Sequence, residues 1–195
     1  MIVTPRLQLR RCRLADVDAV LAYRSRRDVA THLSSGVWSR DKAEHELAAY
    51  ADAPFSAPGD ELVLLVETLE PARVIGEVGL VWRDGNPKTA EVGYVFQPHS
   101  GGQGFATEAV GALIDAAFDT FGFVAVVART DESNLASRAL CERVGMRLMS
   151  ISDAADARGA RECLYSRDTP AGASGLVHDD WGNPCPLLLF STPGR

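Results

Sequence analysis

Apolar and polar residues alternate from Thr4 to Arg13, with Leu7 and Leu9 set against Arg6, Gln8 and Arg10. This period of two predicts a strand with one wet face. Asp16 and Asp18 then open a helical stretch with Val17, Val20 and Leu21 on one side. The basic cluster at 24–27 reads as the solvated end of that helix. A second helix is expected from Ser39 to about Asp52, where the stretch from Pro54 to Gly59 breaks it. Glu61–Thr68 is apolar on both faces, the mark of a strand inside a sheet. Arg73–Trp82 and Ala90–Phe96 are strands joined across the turn residues Asp84-Gly85-Asn86-Pro87, which makes an antiparallel hairpin. The clearest helix is Gly104–Phe121: Val110, Leu113, Ile114, Ala117, Phe118 and Phe121 form one continuous stripe, and Gly122 is placed to end it. A strand at Phe123–Arg129, a helix at Ser133–Val144, and strands at Met146–Ser152 and Arg161–Arg167 complete the order β-α-α-β-β-β-α-β-α-β-β, a mixed α/β sheet.

At 195 residues the chain is long enough for one large domain. Residues 1–168 carry the periodic pattern, whereas residues 169–195 hold Pro170, Pro184, Pro186 and Pro193 and read as an arm. The apolar patch Leu187–Phe190 in that arm is expected to pack on the body or on a second subunit, the latter making a homodimer through the arm. A net charge of −6 argues against nucleic acid, whose binding needs a basic surface, and suits a cationic partner such as an amine. No apolar run approaches the roughly 18 residues of a membrane span, and the N-terminus lacks a leader's apolar core, so a cytoplasmic location is expected. The four cysteines lie far apart with no CxxC pair. They are expected to be plain buried thiols, with no metal site and no disulfide framework.

One segment stands out chemically: Glu91-Val-Gly-Tyr-Val-Phe-Gln-Pro-His-Ser-Gly-Gly-Gln-Gly-Phe-Ala-Thr-Glu-Ala. A strand runs into a glycine-rich turn that opens the strongest helix. Bare amides at a helix N-terminus converge on one point, where the macrodipole also favours negative charge. On the glycines alone, a phosphate cradle and a tight turn without ligand fit equally well. The P-loop pattern GxxxxGK[ST] is absent, and glycines at 101, 102 and 104 do not meet GxGxxG, so nucleoside triphosphates and NAD fit poorly.

The chain resembles the GNAT N-acetyltransferase superfamily, and within it the Rim-type branch that acetylates ribosomal-protein N-termini, together with its small-molecule-acetylating relatives. The resemblance rests on Thr4-Pro-Arg-Leu-Gln-Leu-Arg, Ile75-Gly-Glu-Val-Gly-Leu, Ala90-Glu-Val-Gly-Tyr, Gly102-Gln-Gly-Phe-Ala-Thr-Glu-Ala and Asn134-Leu-Ala-Ser-Arg-Ala-Leu-Cys-Glu-Arg-Val-Gly-Met, and it covers residues 4–168. It implies a GNAT-type, largely antiparallel α/β sheet flanked by helices and splayed where acetyl-CoA enters. It also implies that Gly102, Gln103, Gly104, Phe105, Ala106 and Thr107 hold the CoA pyrophosphate. Tyr94, Val95 and Phe96 would border the pantetheine gap by splaying away from 123–129. The family pattern [Q/R]xxGx[G/A] aligns as Gly101-Gly-Gln-Gly-Phe-Ala, so Gly101 stands where a side-chain contact is usual. Asn134 resembles the asparagine that bonds the CoA arm. Cys141 stands where many relatives carry the tyrosine that protonates the leaving thiolate, so Ser137, one helical turn before it, is assigned that role or the orienting of a water.

Acetyl transfer to an amine needs the amine neutral, and a carboxylate near the acceptor serves that end. Glu91, closest in sequence to the glycine turn, is the first candidate base, and Glu77 the second. A carboxylate lodged inside a sheet face would have its pKa raised by desolvation. His99 is expected to flank the cofactor. The implied reaction is direct attack by a peptide or small-molecule amine in a ternary complex, without an acyl-enzyme on Cys141. The competing reading is a non-catalytic acyl-CoA-binding or sensing module.

Overall fold

The structure is a computed structural model and describes residues 1–83, 89–153 and 161–169. Eight strands form one sheet in the order β1-β2-β3-β4-β5-β6-β8-β7. Strands β1 (Ile2–Val3), β2 (Leu7–Arg11), β3 (Glu61–Thr68), β4 (Arg73–Trp82) and β5 (Thr89–Phe96) pair antiparallel in sequence order. Strand β6 (Ala125–Asp131) lies parallel to β5, and β7 (Arg147–Asp153) and β8 (Arg161–Asp168) complete the far edge antiparallel. A parallel neighbour needs a crossover, and helix α4 (Phe105–Asp119) supplies it.

The helices cover both faces. The stripe Ala109, Val110, Leu113, Ile114, Ala117 and Phe118 of α4 is buried against Leu64, Val78, Leu80 and Val92, and α5 (Leu135–Arg143) adds Leu140 and Cys141 to that core. On the opposite face, α1 (Val17–Arg24) and α3 (Arg40–Ala51) pack Val17, Val20, Tyr23, Ala43 and Leu47 over Leu65, Val74 and Val95. The short α2 (Arg27–Ala30) links them. Ser39 caps α3 by accepting a hydrogen bond from the Lys42 amide.

Three details differ from the periodicity. The first strand is shorter than expected, Leu7–Arg11, because Thr4 turns back on Leu7 (its amide donates to the Leu7 carbonyl at 2.9 Å), and Ile2–Val3 forms a further edge strand that was not expected. The strand after α4 begins later than expected, because the Phe123 amide is held by the Ala117 carbonyl at 3.0 Å and so belongs to the helix ending. The basic cluster is not a uniformly solvated end: Arg24 turns inward onto buried Glu77, and its guanidinium stacks 4.4 Å over Trp38. Cys12, Cys141 and Cys163 are buried free thiols, as expected. The expected turn at 84–87, the loop before β8, Cys185 and the arm beyond Thr169 lie outside the described residues.

The feature that positions the site is how β5 and β6 part. They pair only at Thr89–Ala125, Ala90–Val126 and Glu91–Val127. Beyond Glu91 the β5 edge facing β6 has no strand partner, while β6 continues to Asp131 paired to β8 alone. The sheet is therefore split like a V with its apex at Glu91.

Candidate active site

The open V is a cleft of about 550 Å³. Val92, Gly93, Tyr94, Val95 and Phe96 form one wall, Arg129 and Thr130 the other, and Asn134, Ser137, Leu140 and Arg143 come from the α5 region. Gly101, Gly102 and Ala106 bring the mouth of α4 into it. Gly102 and Gly104 have φ of +73° and +78°, in the left-handed region that residues with a Cβ rarely adopt. A Cβ on Gly102 would meet nothing within 4 Å, so the backbone there faces open space. Gly104 caps α4 without a side chain, which leaves the first-turn amides of Phe105, Ala106 and Thr107 without intrahelical acceptors. These are the physical requirements of a diphosphate cradle: exposed amides, a helix N-terminus, and room for close approach.

The chain braces this cradle from behind. Glu108, in the first turn of α4, accepts hydrogen bonds from the Thr4 hydroxyl at 2.6 Å and from the Arg6 amide and Nε at 3.0 and 2.7 Å. Burial pushes the Glu108 carboxyl up, but these donors outweigh burial and hold it below the usual carboxylate range. Arg6 also donates to the Gln103 carbonyl at 2.9 Å and lies 4.6 Å over the Phe105 ring. The Gln103 carbonyl and the Phe105 ring are therefore held by the brace, and neither residue lines the cleft. The Thr107 hydroxyl accepts from Arg143 Nε at 3.2 Å, which holds a cation beside the cradle. Arg6, Glu108 and Arg143 carried no local signal, because each acts through a residue distant in sequence.

Asn134 lines the cleft, but its Oδ1 caps α5 by accepting from the Ser137 amide at 3.1 Å, so the amide nitrogen is what remains for a ligand. Ser137 faces the cleft, and its Oγ is 2.8 Å from the Tyr94 hydroxyl. Burial pushes both the Tyr94 phenol and the Cys141 thiol up, so both stay protonated at neutral pH.

A second cavity, of about 220 Å³, lies on the α1/α3 face and shares Leu33, Gly93, Tyr94 and Val95 with the cleft. Arg24, Ser34, Ser35, Tyr50, Glu61 and Glu77 supply its polar lining. A Cβ on Gly93 would likewise meet nothing within 4 Å, so this glycine keeps the junction open. Glu77 is only 6% exposed and fully engaged: Tyr23 Oη donates to it at 2.7 Å, and Arg24 forms an ion pair and hydrogen bonds with it. Glu61 makes no ion pair or hydrogen bond among the described residues. Burial, with the charges of Glu46 and Glu77 adding and Arg24 opposing, raises its pKa.

The structure does not bring Glu91 to either cavity. It sits at the apex of the V, where Oε2 is shielded from water, makes no hydrogen bond, and lies within ion-pair range of Arg83 at 3.6 Å and Arg129 at 3.5 Å. Its position on β5 was legible from the sequence, but the two guanidiniums that close on it were not. His99 is exposed next to the glycine turn, where its carbonyl accepts from Gln103 at 3.2 Å.

A sheet split beside a glycine-opened helix, with a second cavity meeting it through the strand edge, makes a site shaped for an extended ligand that bears a diphosphate. The chain matches the Acetyltransferase (GNAT) domain over residues 6–147 and belongs to that family. It is 24% identical over 146 residues to the uncharacterized N-acetyltransferase YnaD of Bacillus subtilis (strain 168), covering 75% of this chain and 82% of that protein. Its fold is that of a GNAT-family acetyltransferase from Bacillus anthracis, at TM-score 0.77 and 23% identity, with 86% of this chain and 97% of that one covered. It also shares the fold of RimL, a ribosomal L7/L12 alpha-N-protein acetyltransferase solved in complex with coenzyme A, at TM-score 0.71 and 18% identity, over 85% and 96% of the two chains. The class of activity is acetyl-CoA-dependent N-acetylation, and the expected GNAT fold with its Rim-type likeness is what the structure has. Among the described residues no helix is long and apolar enough to cross a membrane.

Proposed function

We propose that this chain moves an acetyl group from acetyl-CoA to a primary amine, a protein N-terminus or a small-molecule amine, by direct attack in a ternary complex. The observation that carries this reading is the meeting of two cavities at Leu33 and Gly93–Val95. The V cleft takes the donor and the smaller cavity takes the acceptor.

The residues present fit acetyl-CoA, which when bound supplies an activated thioester. Gly102, Ala106 and the first-turn amides up to Thr107, with Gln103 and Gly104 setting the turn, hold the diphosphate. Arg143 adds a positive charge beside it. The unpaired edge of β5 at Tyr94, Val95 and Phe96 offers main-chain groups to the pantetheine amides, and a backbone N–H there stabilises negative charge on the thioester oxygen. The Asn134 amide nitrogen bonds the CoA arm, and Ser137 serves the departing sulfur.

On the acceptor side Glu61 is the carboxylate free to receive an ammonium and take up its proton. Glu77, tied to Arg24 and Tyr23, shapes the floor, and Glu91 braces the apex. The test is a screen of amines and peptide N-termini that follows release of the CoA thiol. Acceptor-dependent thiol release supports the reading. Coenzyme A binding without release from any amine would leave the non-catalytic acyl-CoA module, and an acetylated Cys141 under turnover would replace direct attack.

A further inference from the structure

Behind the cleft wall, three groups that can donate and accept hydrogen bonds converge from two elements. Tyr94, on β5, has its hydroxyl 2.8 Å from Ser137 Oγ and 3.4 Å from Cys141 Sγ, both on α5. The same hydroxyl is 3.3 Å from the Ser137 carbonyl. Tyr94 and Ser137 line the cleft, whereas Cys141 is fully buried behind them. Among the described residues Ser137 Oγ has no other hydrogen-bond partner.

The protons in this cluster can be ordered by which partners can only accept. The Ser137 carbonyl has no proton to give, so the Tyr94 proton is directed towards Ser137, where Oγ is the nearer of the two acceptors. Tyr94 therefore donates to Ser137 Oγ, and the Cys141 S–H is left to donate to the Tyr94 oxygen. The serine's own proton then has no protein acceptor and points into the cleft. A hydroxyl whose oxygen already accepts a hydrogen bond is polarised and becomes a stronger donor.

We propose that Tyr94 is a positioning residue for acetyl transfer: its hydroxyl orients and polarises Ser137, so that the serine proton stabilises the CoA thiolate as it leaves. This rests on the reading of the V cleft as the acetyl-CoA site. When the C–S bond breaks, the electron pair stays on sulfur. Ser137 donates a hydrogen bond to that sulfur and keeps its proton, because an alcohol is far too weak an acid to protonate a thiolate whose own pKa is near 8.5. The proton lost by the acceptor nitrogen leaves through the acceptor cavity, and solvent protonates the thiolate on release. The hydroxyl that Cys141 lacks on α5 is thus supplied by Tyr94 from the neighbouring strand, acting through Ser137.

The test needs no acceptor. The pKa of the thiol of bound coenzyme A is read from the ultraviolet absorbance of its thiolate as pH rises, with the desulfo-CoA complex titrated in parallel to subtract the protein's own cysteines and tyrosines. Relative to the wild type, Tyr94→Phe makes the bound thiol about tenfold less acidic, the size of one hydrogen bond to a charged group. Ser137→Ala loses at least as much, and the double variant loses no more than Ser137→Ala alone, since Tyr94 acts only through the serine. Unchanged acidity in Tyr94→Phe, unchanged acidity in Ser137→Ala, or losses that multiply in the double variant would each overturn the proposal. Calorimetry on the same samples separates the two levels. Absence of coenzyme A binding to the wild type removes the donor-site reading itself, whereas intact binding with unchanged acidity removes only the role of Tyr94.

Discussion

The two cavities that meet at Gly93 are built on opposite plans. In the proposed reading, the diphosphate and pantetheine end of the donor cleft relies on main chain: an unpaired strand edge, two glycines in left-handed conformation, and the amides of a helix mouth. The acceptor cavity is side chain: a buried Arg24–Glu77–Tyr23 network and the unpaired carboxylate of Glu61. Backbone geometry binds what every member of a family shares, here a diphosphate and two amides. Side chains can be exchanged one at a time without disturbing the sheet, so they are where an individual protein chooses its substrate.

The contrast breaks most visibly at Glu77. Glu77→Gln leaves the Arg24 guanidinium buried without a counter-charge and should cost about 3 kcal/mol of folding stability, measured by denaturant titration. A loss below about 1 kcal/mol would mean that water reaches the pair and that the network is no structural floor. Next in size, Gly104→Val forces a β-branched residue to φ near +78° at the mouth of α4 and should weaken coenzyme A binding about 100-fold, the loss of two amide–phosphate hydrogen bonds. Affinity within a few-fold of wild type would show that the cradle is not where the diphosphate sits.

Glu61→Gln should raise the acceptor KM about tenfold while coenzyme A affinity holds. Because the pKa of Glu61 is raised by burial and by Glu46 and Glu77, the carboxyl ionises later than a free glutamate as pH climbs. The acceptor KM of the wild type should therefore fall as pH passes upward through that value, and this limb should vanish in Glu61→Gln. The sign for stability is the reverse: ionisation of Glu61 destabilises the free protein across the same pH range, and the Gln variant escapes that loss. A pH profile shared by variant and wild type would put ammonium recognition elsewhere. The smallest effect is expected at Glu91. Glu91→Gln should change turnover by less than about twofold at pH 7, since the side chains of its partners Arg83 and Arg129 are 48% and 44% exposed and water can solvate them. A loss of tenfold or more, recovered at higher pH, would return the base to the apex of the V.

The same contrast explains what could be read from the chain beforehand. The stripe of α4, the all-buried run Leu62–Val66 and the order of the strands from β2 onward follow from local periodicity, and they emerged with boundaries shifted by up to three residues. The glycine turn was legible because a backbone-built site marks itself by missing side chains. Glu61 and Arg24 were not: Glu61 is the exposed first residue of a strand read only for its apolar run, and Arg24 looked like a solvated helix end. Both acquire their roles only when α1 and α3 close over β3 and β4. Glu91 illustrates the limit from the other side. Proximity in sequence to the cradle placed it correctly on β5, but the parting of β5 from β6 one residue later carries the cleft away from it. Tyr94, expected only to border the cofactor, proved to reach α5 because the pleat of β5 turns it to the α4 side of the sheet, where Ser137 and Cys141 lie.

The grip on the diphosphate is the point on which the rest depends, and calorimetry of the purified chain with coenzyme A and with pantetheine, which lacks the diphosphate, addresses it in one experiment. Saturable heat with coenzyme A and none with pantetheine at the same concentrations is the predicted result. No heat with coenzyme A, or equal affinity for the two, would contradict it.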